Sequence, residues 1–197
     1  MKLEEAEKYA TQVIEAIRDL CETILVVGSI RRRRPEVNDI DIVVIPDYSD
    51  YRIPDLLHNT TQITRVNPDE TWTKNLPKVL NEKLHARIIR KGPELITIEL
   101  PDEKGQFSTL DPKGFFVFIQ IDIYRARKET WGVLTLIRTG SKEHNVKLCS
   151  CAKDMGYKLS AKDGVTFGAR VIASETEEEI FKALGMEYVP PEHREVI

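Results

Sequence analysis

The chain has 197 residues, 41% hydrophobic and 31% charged, a balance that suits one large or two small folded domains and excludes a disordered chain. Its net charge of −3 excludes a bulk-basic nucleic-acid binder and leaves only local basic clusters to make an electrostatic footprint. No apolar run approaches membrane-spanning length, and MKLEEAEKYA lacks the apolar core of a signal peptide, so an intracellular protein with no membrane partner is expected.

Leu3, Ala6, Ala10, Val13, Ile17 and Leu20 recur at helical spacing and predict an amphipathic helix. Ile24 to Val27 reads as a buried strand ending at Gly28, and Ile40 to Ile45 as a second, stopped by Pro46-Asp47. Short helices are expected at 53–58 and 74–83. Strands are expected at His85–Arg90 and Leu95–Leu100, joined around Gly92-Pro93. A polar loop then spans Asp102 to Gly114, and Phe115 to Tyr124 (FFVFIQIDIY) reads as one long strand. The composition changes near residues 125–130. Glu129 to Ile137 is helical, Ser141 caps a further helix that ends before Gly156, and Asp163-Gly164 turns between strands at Tyr157–Ala161 and Val165–Ala173. Ser174 and Glu177 suggest a capping box for a last helix, which Gly185 stops. These elements predict an α+β domain over 1–126 and a smaller α+β domain over 127–197. Cys21, Cys149 and Cys151 lack the paired spacing of a zinc site and are read as plain thiols.

The chemistry concentrates in Gly28 to Asp41, GSIRRRRPEVNDID. Asp39 and Asp41 stand two apart, so on a strand they share a face roughly 6.5–7 Å apart. Two carboxylates flanked by Ile and Val repel each other and lose solvation, and a divalent cation relieves both penalties. Magnesium suits such oxygen ligands together with substrate phosphates. Gly28 allows close backbone approach, Ser29 stands where a short helix would begin, and Arg31 to Arg34 offer guanidinium forks for phosphate. Asp122 lies alone in an apolar strand and is unfavourable there unless paired. If its strand lies beside that of Asp41, three carboxylates converge and could hold two metal ions.

These residues resemble a family X DNA polymerase, the group of DNA polymerase beta. The family's G-S-x-R-R stretch and D-x-D pair are matched by Gly28, Ser29, Arg31, Arg32, Asp39 and Asp41, and its third carboxylate by Asp122 in IQID. A T-G-S turn follows at Thr139, Gly140 and Ser141, then His144-Asn145 where the family has Phe-Asn. The closing SETEEEIFKALGMEYVPPEHRE is also similar. The resemblance implies a nucleotidyltransferase palm, with a mixed sheet and helices on one face, followed by a thumb-like nucleotide-selecting domain. It implies two magnesium ions, with manganese as a substitute, on Asp39, Asp41 and Asp122, and Asp122 receiving the primer 3′-hydroxyl proton. Gly28, Ser29, Arg32, Gly140 and Asn145 would contact the nucleotide. Ile137-Arg138 stand where many members have an aromatic pair that helps exclude ribonucleotides, and Cys149 stands where some have a template-reading arginine.

The expected activity is therefore templated addition of dNTPs to a primer end, in short-gap repair, with primed or gapped DNA as partner and a monomeric chain. Arg125, Arg127, Lys128, Lys142 and Lys147 are the candidate DNA contacts. About 27 residues precede Gly28, too few for a lyase domain, and no phosphoesterase domain is expected after the thumb-like one, so neither a lyase nor an exonuclease activity is expected, and a protein partner could add DNA grip. A short viral member has a similar layout, so cytoplasmic and virion-associated locations are both expected, with the nucleus left open. Two alternatives stand: a template-independent terminal or tRNA-type nucleotidyltransferase, and a non-catalytic nucleic-acid-binding module.

Overall fold

Helix α1 (Leu3–Ile17) forms as its spacing predicts and buries Ala6, Tyr9, Ala10, Val13 and Ile17 along one stripe. Glu4 and Glu5 in its first turn complement the helix dipole. A computed structural model of the chain describes residues 1–47, 49–55, 60–102, 104–110 and 116–195. After α1 come β1 (Cys21–Val26), the short α2 (Gly28–Arg31) and β2 (Ile40–Pro46). A hairpin of β3 (Ser49–Asp55) and β4 (Thr60–Val66) follows. The next helical run comprises α3 (Pro68–Glu70), a wide turn over Thr71–Asn75 and α4 (Leu76–Leu84). Strands β5 (Arg87–Lys91), β6 (Leu95–Leu100), β7 (Thr109–Leu110), β8 (Phe116–Val117) and β9 (Ile119–Arg125) complete the first domain.

One mixed five-stranded sheet carries this domain, in the order β1-β2-β9-β6-β5. Only β2 and β9 run parallel, and their register sets Asp41 beside Asp122. Alternation then sorts the residues by face. Ile40, Ile42, Val44, Ile121, Ile123, Ile96 and Ile98 point into the core with α1, Trp72, Leu76 and Leu80. Asp41, Asp122 and their cross-strand neighbour Thr97 therefore belong to the other face. Helices α1 and α4 thus cover one face of the sheet, and the carboxylates lie on the face opposite.

The second domain holds α5 (Trp131–Thr139), α6 (Lys142–Asp154), a three-stranded sheet of β10 (Lys158–Ser160), β11 (Gly164–Phe167) and β12 (Arg170–Ala173), and α7 (Glu177–Ala183). Its own core gathers Val133, Leu136, Leu148, Val165, Ile180 and Phe181. Val27, Val43, Tyr124 and Ala126 make a smaller cluster with Trp131 and Leu134. That cluster seats α5 on the carboxylate-bearing face of the palm sheet.

Four local expectations are corrected. Residues 53–55 belong to strand β3, not to a helix, because they pair in register with β4; positions 56–58 lie outside the described residues. The long strand from Phe115 is broken at Phe118, which is exposed between β8 and β9. Val165–Ala173 is two strands, because Gly168, at φ 58°, turns the chain between them. The cap of α7 is Thr176, whose side chain accepts from Glu179 N, and not Ser174, whose hydroxyl donates to Glu129 O.

Glu177 is thereby freed to join the domains. Its carboxylate accepts from Arg31 of α2 (2.6 and 3.1 Å) and from Arg194 of the closing segment (3.2 and 2.8 Å), with Tyr188 OH at 3.1 Å. Arg194 is 0% exposed and Glu177 6%. Burial alone would raise the Glu177 pKa, but the hydrogen bonds from Arg194 and Arg31 outweigh it and hold it below the usual carboxylate range. Replacing Glu177 with Ala strands a buried guanidinium and is expected to destabilise the chain by about 3–5 kcal/mol in denaturant unfolding. In the native chain, the stabilisation from Glu177 is complete above the ordinary glutamate pKa and disappears as pH falls through the depressed folded value. E177A should lack that component of the acid sensitivity.

Candidate active site

The short helix α2 begins at Gly28, whose φ of 62° lets the chain turn abruptly out of β1. A Cβ on Gly28 would lie 2.2 Å from Asp41 Oδ2, so only glycine lets α2 start against this carboxylate. Ser29 follows, with its hydroxyl buried and, among the described residues, without a hydrogen-bond partner. An orphaned buried hydroxyl beside a carboxylate marks a place built to meet a further group.

Asp41 is half-buried, and its pKa is raised to about 7. Burial contributes most, followed by the charges of Asp39 and Asp122; a hydrogen bond from Tyr124 and the charge of Arg138 pull the other way. Asp39 precedes β2 and is exposed, whereas Asp41 and Asp122 are direct partners within the sheet. Asp122 is held by two hydroxyls: Thr97 Oγ1 donates to Oδ1 at 2.7 Å, and Tyr124 OH to Oδ2 at 3.2 Å. Among the described residues, no three ligand-type side chains close into a ready metal cage. The donor set nonetheless fits a divalent cation. It is oxygen-only, like-charged and partly desolvated, and it leaves coordination positions for phosphate and water.

A cavity of about 330 Å³ lies between the domains and brings together Gly28, Ser29, Arg32, Asp39, Asp41 and Lys142. Arg32 reaches across it: its guanidinium donates to the Thr139 carbonyl and pairs with Glu195. Gly140 turns at φ 73° beside Arg32, where a Cβ would come within 3.1 Å of Nη1. Ser141 caps α6 by accepting from His144 N, and its hydroxyl donates to Arg194 O at 2.7 Å. Asn145 Nδ2 donates to Ile137 O at 2.8 Å, and its Oδ1 is buried without a partner. His144 packs on Phe181 with ring centroids 5.7 Å apart. Burial, then Arg194 and Lys147, lowers its pKa to about 4, so a neutral imidazole fills an aromatic position in the core.

The basic candidates separate. Arg125 is paired with Asp69, and Lys128 with Glu22 at 2.5 Å. Arg127, Lys142 and Lys147 are exposed, and Lys142 borders the cavity. In the arginine run, Arg33 pairs with Glu7 at the surface and Arg34 with Glu195. Sequence reasoning missed Arg31 as the link between domains, and Arg138, whose guanidinium lies 4.0 Å over the Tyr124 ring. It also missed Tyr124 and Thr97. Tyr124 was findable, because position i+2 from Asp122 shares its face. Thr97 was not, because cross-strand register is invisible in the chain.

Asp41→Asn removes the repelled charge. Because the folded pKa of Asp41 is raised, its ionisation disfavours the metal-free fold progressively as pH rises from about 4 to about 7. At pH 8 the metal-free variant is expected to be more stable than the parent by roughly 1–3 kcal/mol after solvent screening, with no gain at pH 4. Urea unfolding at the two pH values measures the difference.

Residues 134–195 match the DNA polymerase beta thumb family. The chain is 24% identical over 174 residues to the DNA polymerase/3′-5′ exonuclease PolX of Bacillus subtilis (strain 168), covering 85% of this chain and 23% of that protein. It thus spans about a quarter of the length of that curated relative. Among solved structures it is similar to Leishmania infantum polymerase beta in a ternary P/T complex (TM-score 0.70, 18% identity, 98% of this chain and 76% of that one). A ternary gap complex of the same polymerase matches at TM-score 0.71 and 19% identity, over 100% of this chain and 71% of that one. Among the described residues no helix is long and apolar enough to cross a membrane. The chain therefore has the fold of polymerase beta along its length, and its residues 134–195 match the DNA polymerase beta thumb family.

Proposed function

We propose that the chain is a DNA-directed nucleotidyltransferase that adds a deoxynucleotide to a primer 3′-hydroxyl and releases pyrophosphate, as in the filling of short gaps. The observation that carries this proposal is the parallel pairing of Asp41 with Asp122 on the open sheet face, beside the orphaned Ser29 hydroxyl and under the thumb. Asp39, Asp41 and Asp122 would hold divalent cations, magnesium by donor chemistry. Such ions, when bound, neutralise the carboxylates and polarise the hydroxyl and phosphate oxygens.

The remaining work falls to this chain's own groups. Ser29 and the start of α2 would receive the terminal phosphates. Arg32, now neutralised by Glu195, would exchange that carboxylate for a phosphate, an anion of matching geometry. Asp122, oriented by Thr97 and Tyr124, would take the 3′-hydroxyl proton as the new O–P bond forms and the bond to pyrophosphate breaks. Asn145, with an unspent Oδ1, would face the incoming base once the nucleotide reaches α6.

Template-independent addition is the second candidate, favoured by Arg138 on Tyr124 where an aromatic pair is common in the family. Primer extension with magnesium, each dNTP or rNTP, and gapped, primed or single-stranded substrates tests both. Template-directed dNTP addition is expected on gapped DNA, and addition that ignores the template would overturn the first proposal. Asp122→Ala should lower incorporation by about a thousandfold, as loss of several kcal/mol of charge stabilisation demands. Undiminished extension by that variant would remove the triad from the chemistry.

A further inference from the structure

A second groove, of about 370 Å³, opens on the far side of Arg138. Its floor is Tyr124, Leu134 and Ala161, and its rim carries Arg125, Arg127 and Lys162. The walls come from four separate parts of the chain: the turn between β5 and β6, the end of β9, the α5 region at the domain junction, and the turn between β10 and β11. Arg138 lines both this groove and the carboxylate cavity. Glu94 is the acidic residue on the wall.

The cations differ in what already occupies them. Arg125 is neutralised by Asp69. Arg138 spends its guanidinium face on the Tyr124 ring. Arg127 and Lys162 are exposed and, among the described residues, carry no ion pair. Lys128, next to Arg127 in the chain, is by contrast paired with Glu22. Two unpaired cations facing one groove, with a third shared with the carboxylate cavity, form a local positive field in a chain of net charge −3. Like charges set at a groove mouth repel one another, and a bound anion removes that repulsion.

We propose that this groove is a phosphodiester subsite for a nucleic-acid strand, with Arg127 and Lys162 as phosphate contacts and Arg138 as the bridge to the carboxylate cavity. The groove's cationic rim would follow a backbone, and its apolar floor would lie against sugar or base. A strand that crosses it would run past Arg138 into the cavity lined by Asp39 and Asp41. The proposal rests on a nucleic acid being the substrate, and it narrows the DNA contacts to a set that includes Lys162 and omits the paired Arg125 and Lys128.

Fluorescence anisotropy of the full chain with labelled primed duplex, titrated across salt concentrations, tests it without any turnover. The double variant Arg127→Ala/Lys162→Ala should weaken binding and flatten the plot of log affinity against log salt by about two units, one per phosphate contact. A control pair, Lys8→Ala/Lys182→Ala, removes the same charge from exposed sites outside the groove and should leave the slope unchanged. Equal losses in both variants would overturn the groove in favour of net charge alone. No binding by the parent chain would overturn it as well. A second arm uses free dNTP and pyrophosphate as competitors. If the groove variant loses affinity for these while duplex binding is kept, the subsite belongs to the nucleotide and the strand assignment fails. Thermal melts confirm that both variants fold. Incorporation is measured in parallel: unchanged duplex affinity in an active groove variant sinks the groove alone, whereas a clear groove effect in an inactive chain sinks the polymerase proposal alone.

Discussion

One carboxylate organises the relation between the two domains. Glu177 takes Arg31 from the palm and Arg194 from the closing segment at the same time, almost out of water. A buried charge of this kind is tolerable only when every partner is present, so the arrangement is cooperative by nature. Arg31 Nη1 also reaches Thr139 Oγ1 at 2.8 Å, and Arg32 beside it donates to the Thr139 carbonyl. Helix α2 is thereby pinned to the end of α5. The same four-residue helix presents Gly28 and Ser29 to the carboxylates. The position of the candidate phosphate site is thus tied to the contact between domains through adjacent residues of one short helix.

The sheet sets a tension against that contact. Its core face is uniformly aliphatic and packed under α1 and α4, which gives β2 and β9 a firm register. That register places Asp41 next to Asp122, a pairing that repels when both are ionised and that no apolar packing requires. The pKa of Asp41 is raised first by burial and then by the repulsion of Asp39 and Asp122. Tyr124 and Thr97 moderate it with hydroxyl donors, and Arg138 with charge. Only part of the repulsion is offset within the chain. The proposed cation would remove the remainder, and a site left costly without it would have yielded stability to function.

Much of this was legible along the chain. The aliphatic alternation of IDIVVI and IQIDIY marked two strands, and the acidic residues within them stood out because buried strands rarely keep a lone carboxylate. The N-cap at Ser141 and the turn at Gly140 were also readable, since capping and positive φ act over three or four residues. Errors fell where local signals compete. Ser174-x-x-Glu177 satisfies a capping pattern, but Thr176 caps instead because Glu177 is drawn to two arginines over 146 and 17 residues away. The apolar content of Val165–Ala173 hid a turn at Gly168. The run of four arginines did not reveal its division of labour, because their acidic partners Glu177, Glu195 and Glu7 are all distant in the chain.

The amino-acid sequence by itself determined the aliphatic strands β2, β6 and the core of β9, the N-cap at Ser141, the residue types of the candidate site and the likeness to a polymerase palm and thumb. Those properties depend on neighbours a few positions away, where side-chain periodicity and backbone preference decide the outcome. The tertiary structure alone decided that Asp41 and Asp122 are sheet partners, that Arg31 shares buried Glu177 with Arg194 while Arg32 pairs with Glu195, and that Arg138 lines two cavities. Each depends on residues far apart in sequence meeting across strands or domains. Such meetings are settled by the packing of whole elements, a property of the folded chain and not of any stretch of it.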